Sequence, residues 1–247
     1  MDWSFWVVAI AAALCVGMGK GGIPMVGMLS VPILSLKLPA VTAAGLLLPI
    51  YVVSDAFGLW AYRKAFDPQV IVIMSAAMTL GVGLGWAAAS LVPEQVVTLF
   101  VGIIGLVFAG NTLLRRRVMA EPRPARLVPG FFWGTIAGFT SFVSHAGGPP
   151  YQVYVQPLGL PKAVFAGTST IAFAYVNAIK LVPYWFLGQL SLENLHVAVW
   201  LAVPASLAVF AGVRLVRVLP ERLFFQLVTW ALMVISLRLI WEGLSPS

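Results

Sequence analysis

The chain has 247 residues, 61% hydrophobic and only 9% charged, with a formal net charge of +7. That balance excludes a water-soluble domain: apolar stretches of about 20 residues, the length that crosses a bilayer, follow one another from end to end and leave no room for a nucleotide-binding or soluble catalytic domain. Most basic residues lie in short connections between these stretches, so they read as topology signals and not as a nucleic-acid surface, and the single cysteine, Cys15, excludes an intramolecular disulfide or a cysteine metal cluster.

Hydrophobic segments are predicted at about 3–18, 23–36, 40–62, 68–92, 95–114, 127–144, 149–160, 163–187, 195–213 and 221–241. The first carries Asp2 where a signal peptide has a basic stretch, and is therefore read as part of the mature fold. The second and seventh are short and contain prolines, so each is read as the returning half of a hairpin with the segment before it. The longest polar connection runs only from Arg115 to Arg126.

Both hairpins turn on a glycine-proline break: Gly19-Lys20-Gly21-Gly22-Ile23-Pro24 in the first, and His145-Ala146-Gly147-Gly148-Pro149-Pro150 in the second. In hydrocarbon, irregular backbone survives only where it is packed in protein or lines a wet cavity. The chain also repeats internally. Leu38-Pro39-Ala40-Val41 resembles Leu160-Pro161-Lys162-Ala163-Val164; at the same offset Tyr62 falls on Tyr184 and Asp55 on Asn177. Gly85 stands eight residues before Pro93-Glu94, as Gly212 does before Pro220-Glu221. The expected organisation is a first membrane repeat over 1–118, a basic cytoplasmic linker over 119–126 and a second membrane repeat over 127–247, each repeat a broken, re-entrant hairpin plus three full transmembrane helices.

Charge placement orients the repeats, because Lys and Arg accumulate in cytoplasmic loops. With the N-terminus outside and each hairpin returning to its own side, Arg63, Lys64, Arg115, Arg116, Arg117, Arg123, Arg126, Lys162, Arg214, Arg217 and Arg222 are all cytoplasmic, and only Lys37 lies in an external loop. Treating each broken pair as one span divides the charges far less cleanly. The fold class is thus an all-α polytopic membrane protein of two inverted-topology repeats, with both termini outside and the loops at Glu94 and Glu193 external. Ten full spans would preserve the same parity, and the sequence leaves both counts open.

Inverted repeats with discontinuous helices are the recurrent build of secondary transporters, whose substrates bind near the midplane where the broken helices meet. A short helix is expected after Gly21-Gly22 and after Gly147-Gly148. A helix start offers unpaired N–H groups and about half a positive charge to an anion. Lys20 adds a full charge at the first break, and His145 a titratable one at the second.

Asp55 is the only carboxylate well inside a span. It reads as a proton-coupling group, as a partner for Lys180, or as a structural hydrogen-bonding residue with Asn177 its counterpart. Around the second break and after it, Tyr151, Gln152, Thr168 and Ser169 can complete the hydrogen-bond shell of an oxyanion, although hydroxyls equally hold membrane helices together. Gly81-x-x-x-Gly85 and Gly134-x-x-x-Gly138 read as packing motifs. His196 has no plausible metal partners, so neither a metal site nor a cofactor is expected.

These residues resemble the sulfite exporter TauE/SafE family of bacterial membrane transporters. The resemblance rests on Gly17-Met18-Gly19-Lys20-Gly21-Gly22 with Val31-Pro32-Ile33-Leu34, on the stretch from Gly138 to Pro150, and on Leu160-Pro161-Lys162-Ala163-Val164-Phe165-Ala166-Gly167-Thr168-Ser169. It implies transport of small anions such as sulfite or sulfonates across the cytoplasmic membrane, commonly as export. The family's glycine motifs fall here on Gly19 to Gly22 and on Gly147 to Gly148. Lys20 and Ala146 depart from the commonest triple-glycine pattern. The expected partners are a small anionic substrate and the lipid bilayer, with a homo-oligomer left open and no nucleic acid.

Two other readings are weighed. A passive anion channel would use the same half-helix site, although the inverted repeat favours alternating access. A membrane-embedded hydrolase would need Ser144 and His145 as nucleophile and base, but adjacent side chains on a helix point apart and no Gly-x-Ser-x-Gly elbow is present.

Overall fold

A computed structural model describes residues 2–89, 91, 93–114, 122–190 and 192–245. Arg115, Arg116, Arg117, Glu121 and the first part of the expected 119–126 linker lie outside the described residues, as do the side chains of Glu94 and Glu193. Among the described residues the secondary structure is helical without strands: α1 (Trp3–Lys20), α2 (Pro24–Gly27), α3 (Ser30–Leu34), α4 (Ala40–Tyr62), α5 (Pro68–Ala87), α6 (Glu94–Leu114), α7 (Leu127–Ser144), α8 (Gly148–Val155) with a 3₁₀ turn at Gln156–Leu158, α9 (Lys162–Phe186), α10 (Leu192–Val218) and α11 (Glu221–Leu244). Eight of these, α1, α4 to α7 and α9 to α11, are long and apolar enough to cross a membrane.

The two counts that the sequence leaves open are separated by the returning arms. From Pro24 to Leu34 and from Gly148 to Leu158 the chain would extend only about 16 Å even as unbroken helix, roughly half of a hydrocarbon core. Each arm also ends beside the start of its own hairpin. Lys37 Nζ, just past α3, donates to Ser4 Oγ in the first turn of α1 at 2.7 Å. In the second hairpin, Arg123 N–H donates to the Pro157 carbonyl at 3.0 Å and the Tyr154 hydroxyl to the Arg126 carbonyl at 3.1 Å. Both hairpins return to the end at which they entered.

By spatial contact the chain divides into two units: unit 1 comprises Met1–Phe66 and Ala166–Leu219, and unit 2 comprises Asp67–Phe165 and Pro220–Ser247. Unit 1 therefore contains α1 to α4 with α9 and α10. Its apolar core is formed by small and branched side chains of α1, α3, α4 and α10, among them Ala9, Ala13, Leu34, Leu47 and Leu201. Asp2 caps α1 by accepting from Phe5 N–H at 2.9 Å. The Ser4 hydroxyl and that N–H hold its carboxyl below the ordinary carboxylate range.

Within unit 1, α4 and α9 run antiparallel. Gly45, early in α4, lies against the Gln189 carbonyl after the end of α9, while Gly167, early in α9, lies against the Ala65 carbonyl after the end of α4. These two helices are the most enclosed of the eight, with 61% of each span buried. The helix α1 packs on α10 in the same direction, its Gly17 meeting Ala205 and its Gly21 meeting Gly212.

Unit 2 contains α5 to α8 and α11. The two packing motifs read from the sequence are partners here: Gly138 on α7 sits against Met78 and Gly81 on α5, and Gly134 against Ala77. Without side chains at these positions the two backbones approach closely, so dispersion contacts and polar backbone contacts hold helices that lipid cannot drive together hydrophobically. The third long pair, α6 and α11, is antiparallel, with Leu99 beside Gly243 and Gly102 beside Ile240.

Candidate functional site

In unit 1 the helix α1 ends at Lys20 and its backbone is closed by the glycines that follow. Gly21 N–H bonds the Gly17 carbonyl at 2.8 Å, Gly22 N–H that of Gly19 at 3.2 Å, and Ile23 N–H that of Met18 at 3.3 Å. Gly22 takes a left-handed φ of 103°, which turns the chain out of the helix, and an added Cβ would strike the Tyr62 hydroxyl and Ala166. Pro24 opens α2 as expected, but α2 has only four residues. The donors expected at this helix start are thus already spent on α1. An anion at this break would be held by side-chain charge and not by free backbone N–H groups.

That charge is buried. Lys20 is 4% exposed, and its Nζ lies 2.6 Å from Asp55 Oδ1. The opposite carboxylate oxygen, Oδ2, accepts from Asn177 Nδ2 at 2.9 Å. The Lys20 Nζ also sits 5.1 Å from the centre of the Tyr51 ring, where the ring quadrupole attracts a cation. Tyr51 is fixed by donating to the Gly27 carbonyl at 3.0 Å, in the returning arm.

The face of α4 that meets the break is one helical stripe. Tyr51, Asp55, Gly58 and Tyr62 recur every three or four residues. Tyr51 and Asp55 meet the Lys20 side chain, Gly58 leaves space for the Lys20 carbonyl, and the Tyr62 hydroxyl donates to the Gly21 carbonyl at 2.6 Å. The helix α9 approaches with Thr170, whose Oγ1 donates to the Lys20 carbonyl at 3.2 Å, and with Asn177. Tyr51 is not among the site residues expected from sequence, whereas Thr170 directly follows the expected Thr168 and Ser169. The signal for Tyr51 is its place one helical turn before Asp55.

Lys180, 1% exposed, lies one turn beyond Asn177 on α9, within electrostatic reach of both Lys20 and Asp55. The sequence leaves Asp55 as its candidate partner, whereas the close ion pair of Asp55 is with Lys20. Among the described residues, Lys20, Asp55 and Lys180 are the buried charged side chains. Two lysines thus stand near one carboxylate inside helices long and apolar enough to cross a membrane. Isolated buried charge costs several kcal/mol even after relaxation, and the close carboxylate of Asp55 compensates that of Lys20. On the same two helices, α4 and α9, the buried hydroxyls of Ser54 and Ser169 have no hydrogen-bond partner among the described residues. Thr168 is buried on the same stretch of α9.

The remaining expected site residues, His145, Gly147, Gly148, Tyr151 and Gln152, belong to unit 2. His145 ends α7 in a left-handed conformation, φ 53°, with its N–H and that of Ala146 both bonding the Thr140 carbonyl. Ser144 donates back to the same carbonyl at 3.1 Å, so its hydroxyl is engaged within its own helix and not with His145. The helix α8 then begins at Gly148, with Pro149 and Pro150 in its first turn. The N–H groups of Gly147 and Gly148 have no backbone partner among the described residues, and both glycines are buried. Here the helix start does present donors. Tyr151 and Gln152 are fully buried on this helix. Among the described residues no His, Cys, Asp and Glu cluster suits a metal ion.

Eight apolar helices long enough to cross a membrane, with two broken hairpins among them, define a polytopic α-helical membrane protein. The profile of the family described as "Sulfite exporter TauE/SafE" matches residues 9–239 of the chain, which belongs to that family of membrane transporters. No curated protein and no solved structure matches it.

Proposed function

We propose that this chain is a secondary transporter that exports small anions, sulfite, sulfonates or related organic anions, across the bacterial cytoplasmic membrane by alternating access. The observation that carries the proposal is the buried ion pair of Lys20 and Asp55 at the first break, with Lys180 buried within electrostatic reach of both. In this reading the Asp55 carboxylate holds Lys20 when no substrate is present. A substrate oxyanion takes that place, with Lys20 and Lys180 as cations, the hydroxyls of Ser54 and Ser169 as donors, and Asn177 retaining the displaced carboxylate. The start of α8, with Gly147, Gly148 and the neighbouring His145, is a second element of unit 2 that attracts anions.

The proposed architecture is two inverted repeats, 1–118 and 127–247, with both termini outside and the basic loops cytoplasmic. The antiparallel course of α4 and α9 supports it, because equivalent helices of inverted repeats must run oppositely. So does the bond between Asp55 and Asn177. Residues at matching positions touch each other only where a two-fold axis relating them passes.

The test is flux in proteoliposomes of sulfite and several sulfonates, with and without a pH gradient, for the native chain and Lys20→Ala. Saturable uptake that exchanges against internal anion, and falls at least tenfold in the variant, is the expected result. Unchanged flux in Lys20→Ala would remove Lys20 from the site, and unitary currents far above carrier turnover would make the protein a channel.

A further inference from the structure

Unit 2 contains a cavity of about 430 Å³ at the amino-terminal end of α7, lined by none of the buried charged residues. Arg123, Arg126, Trp133 and Tyr154 are among its lining residues, none of which is acidic among the described residues. Neither arginine forms an ion pair with a described residue, and both are exposed.

Their backbone is nevertheless fixed. Besides the bonds from Arg123 N–H to Pro157 and from Tyr154 to Arg126, Gln69 Nε2 donates to the Ala125 carbonyl at 3.0 Å. Three neighbouring elements thus clamp four consecutive residues. The two guanidinium groups are carried on an ordered strap, which reduces the entropy lost when they close on a ligand. A guanidinium fork matches the paired oxygens of a phosphate ester, and the positive end of α7 points to the same place. Directly after Arg126, α7 exposes Leu127, Val128 and Phe132, at 64%, 78% and 58%. A ligand with phosphate at the arginines and hydrocarbon along this flank satisfies both surfaces.

We propose that this cavity binds the headgroup of an anionic phospholipid, its phosphodiester held by Arg123 and Arg126 and its acyl chains lying along the start of α7. The two guanidinium groups repel the amine of a zwitterionic headgroup, so the site discriminates by net charge. Basic pockets at the ends of membrane helices take such headgroups by this physics.

The experiment uses the purified full chain, stripped of lipid in detergent and titrated with phosphatidylglycerol or phosphatidylcholine of identical acyl chains. Bound lipid is read by native mass spectrometry and by the shift in melting temperature. Phosphatidylglycerol binds preferentially, and Arg123→Gln with Arg126→Gln weakens it by about thirty-fold, while Lys64→Gln with Arg222→Gln, the same change of charge at exposed positions elsewhere, leaves it within about twofold. Equal phosphatidylglycerol binding by the Arg123/Arg126 variant would overturn the proposal. A shift from inorganic phosphate or glycerol 3-phosphate as large as that from the lipid would also overturn it, by making the cavity a site for free anions. Each single arginine variant is measured as well; the proposal requires a partial loss from either.

Discussion

Asn177 Nδ2 donates to Asp55 Oδ2 at 2.9 Å, joining two residues 122 positions apart that the proposed repeat sets at matching positions. The bond orients the carboxylate so that its other oxygen meets Lys20. Because the partners are nearly isosteric, their roles are open to exchange. Asp55→Asn alone leaves Lys20 buried without its carboxylate, at a cost of about 3–5 kcal/mol. Adding Asn177→Asp returns a carboxylate to the same small space and is expected to recover more than half of the lost melting temperature. A double variant no more stable than Asp55→Asn would show that the location of the charge on α4 is itself essential.

Lys20 separates stability from transport. Lys20→Met strips Asp55 of its closest cation and lowers the melting temperature strongly, whereas Lys20→Met with Asp55→Asn removes both charges and recovers most of it, since replacing a whole buried pair is often neutral. Flux is expected to stay at least tenfold down in both. A stable double variant with native anion flux would refute the proposed role of the pair.

Gly22 is required by its geometry. Its φ of 103° and the nearness of the Tyr62 hydroxyl and Ala166 leave no place for a side chain. Gly22→Ala is expected to destabilise by about 1–3 kcal/mol from backbone strain alone. Gly83, exposed with nothing within reach of an added Cβ, provides the control. Gly83→Ala should change stability by less than about 0.5 kcal/mol. Thermal unfolding in detergent reads both, and equal effects would contradict the packing around the break.

Membrane orientation is accessible by cysteine labelling after Cys15→Ser. Lys64 follows α4 and Leu187 follows α9, both exposed. With α4 and α9 antiparallel across the bilayer, Lys64→Cys reacts with impermeant maleimide only from the cytoplasm and Leu187→Cys only from outside. Labelling of both from one side would rule out the inverted arrangement.

Much of the architecture is legible in the residue pattern alone. The helix boundaries follow from runs of apolar residues, and the two breaks from glycine and proline, because hydrocarbon forces backbone polarity into helices and makes each exception conspicuous. Gly81, Gly134 and Gly138 are identifiable as packing positions, though not as one another's partners. At the first break the sequence suggests free N–H donors, but Gly21, Gly22 and Ile23 bond back to α1. Nothing in the sequence signals that, since a glycine pair closes a helix and opens one with the same letters.

The residue pattern by itself determined a multi-pass helical chain with two broken hairpins, a cation at one break and a carboxylate within a span, because bilayer length and the cost of buried charge act on local composition. Only the tertiary structure decided that Asp55 pairs with Lys20, that Asn177 holds its other oxygen, and that Tyr51 and Thr170 complete the surroundings. Those choices depend on how α1, α4 and α9 come together in space. A few ångströms decide which of two lysines meets a carboxylate, and composition along one helix does not encode that distance.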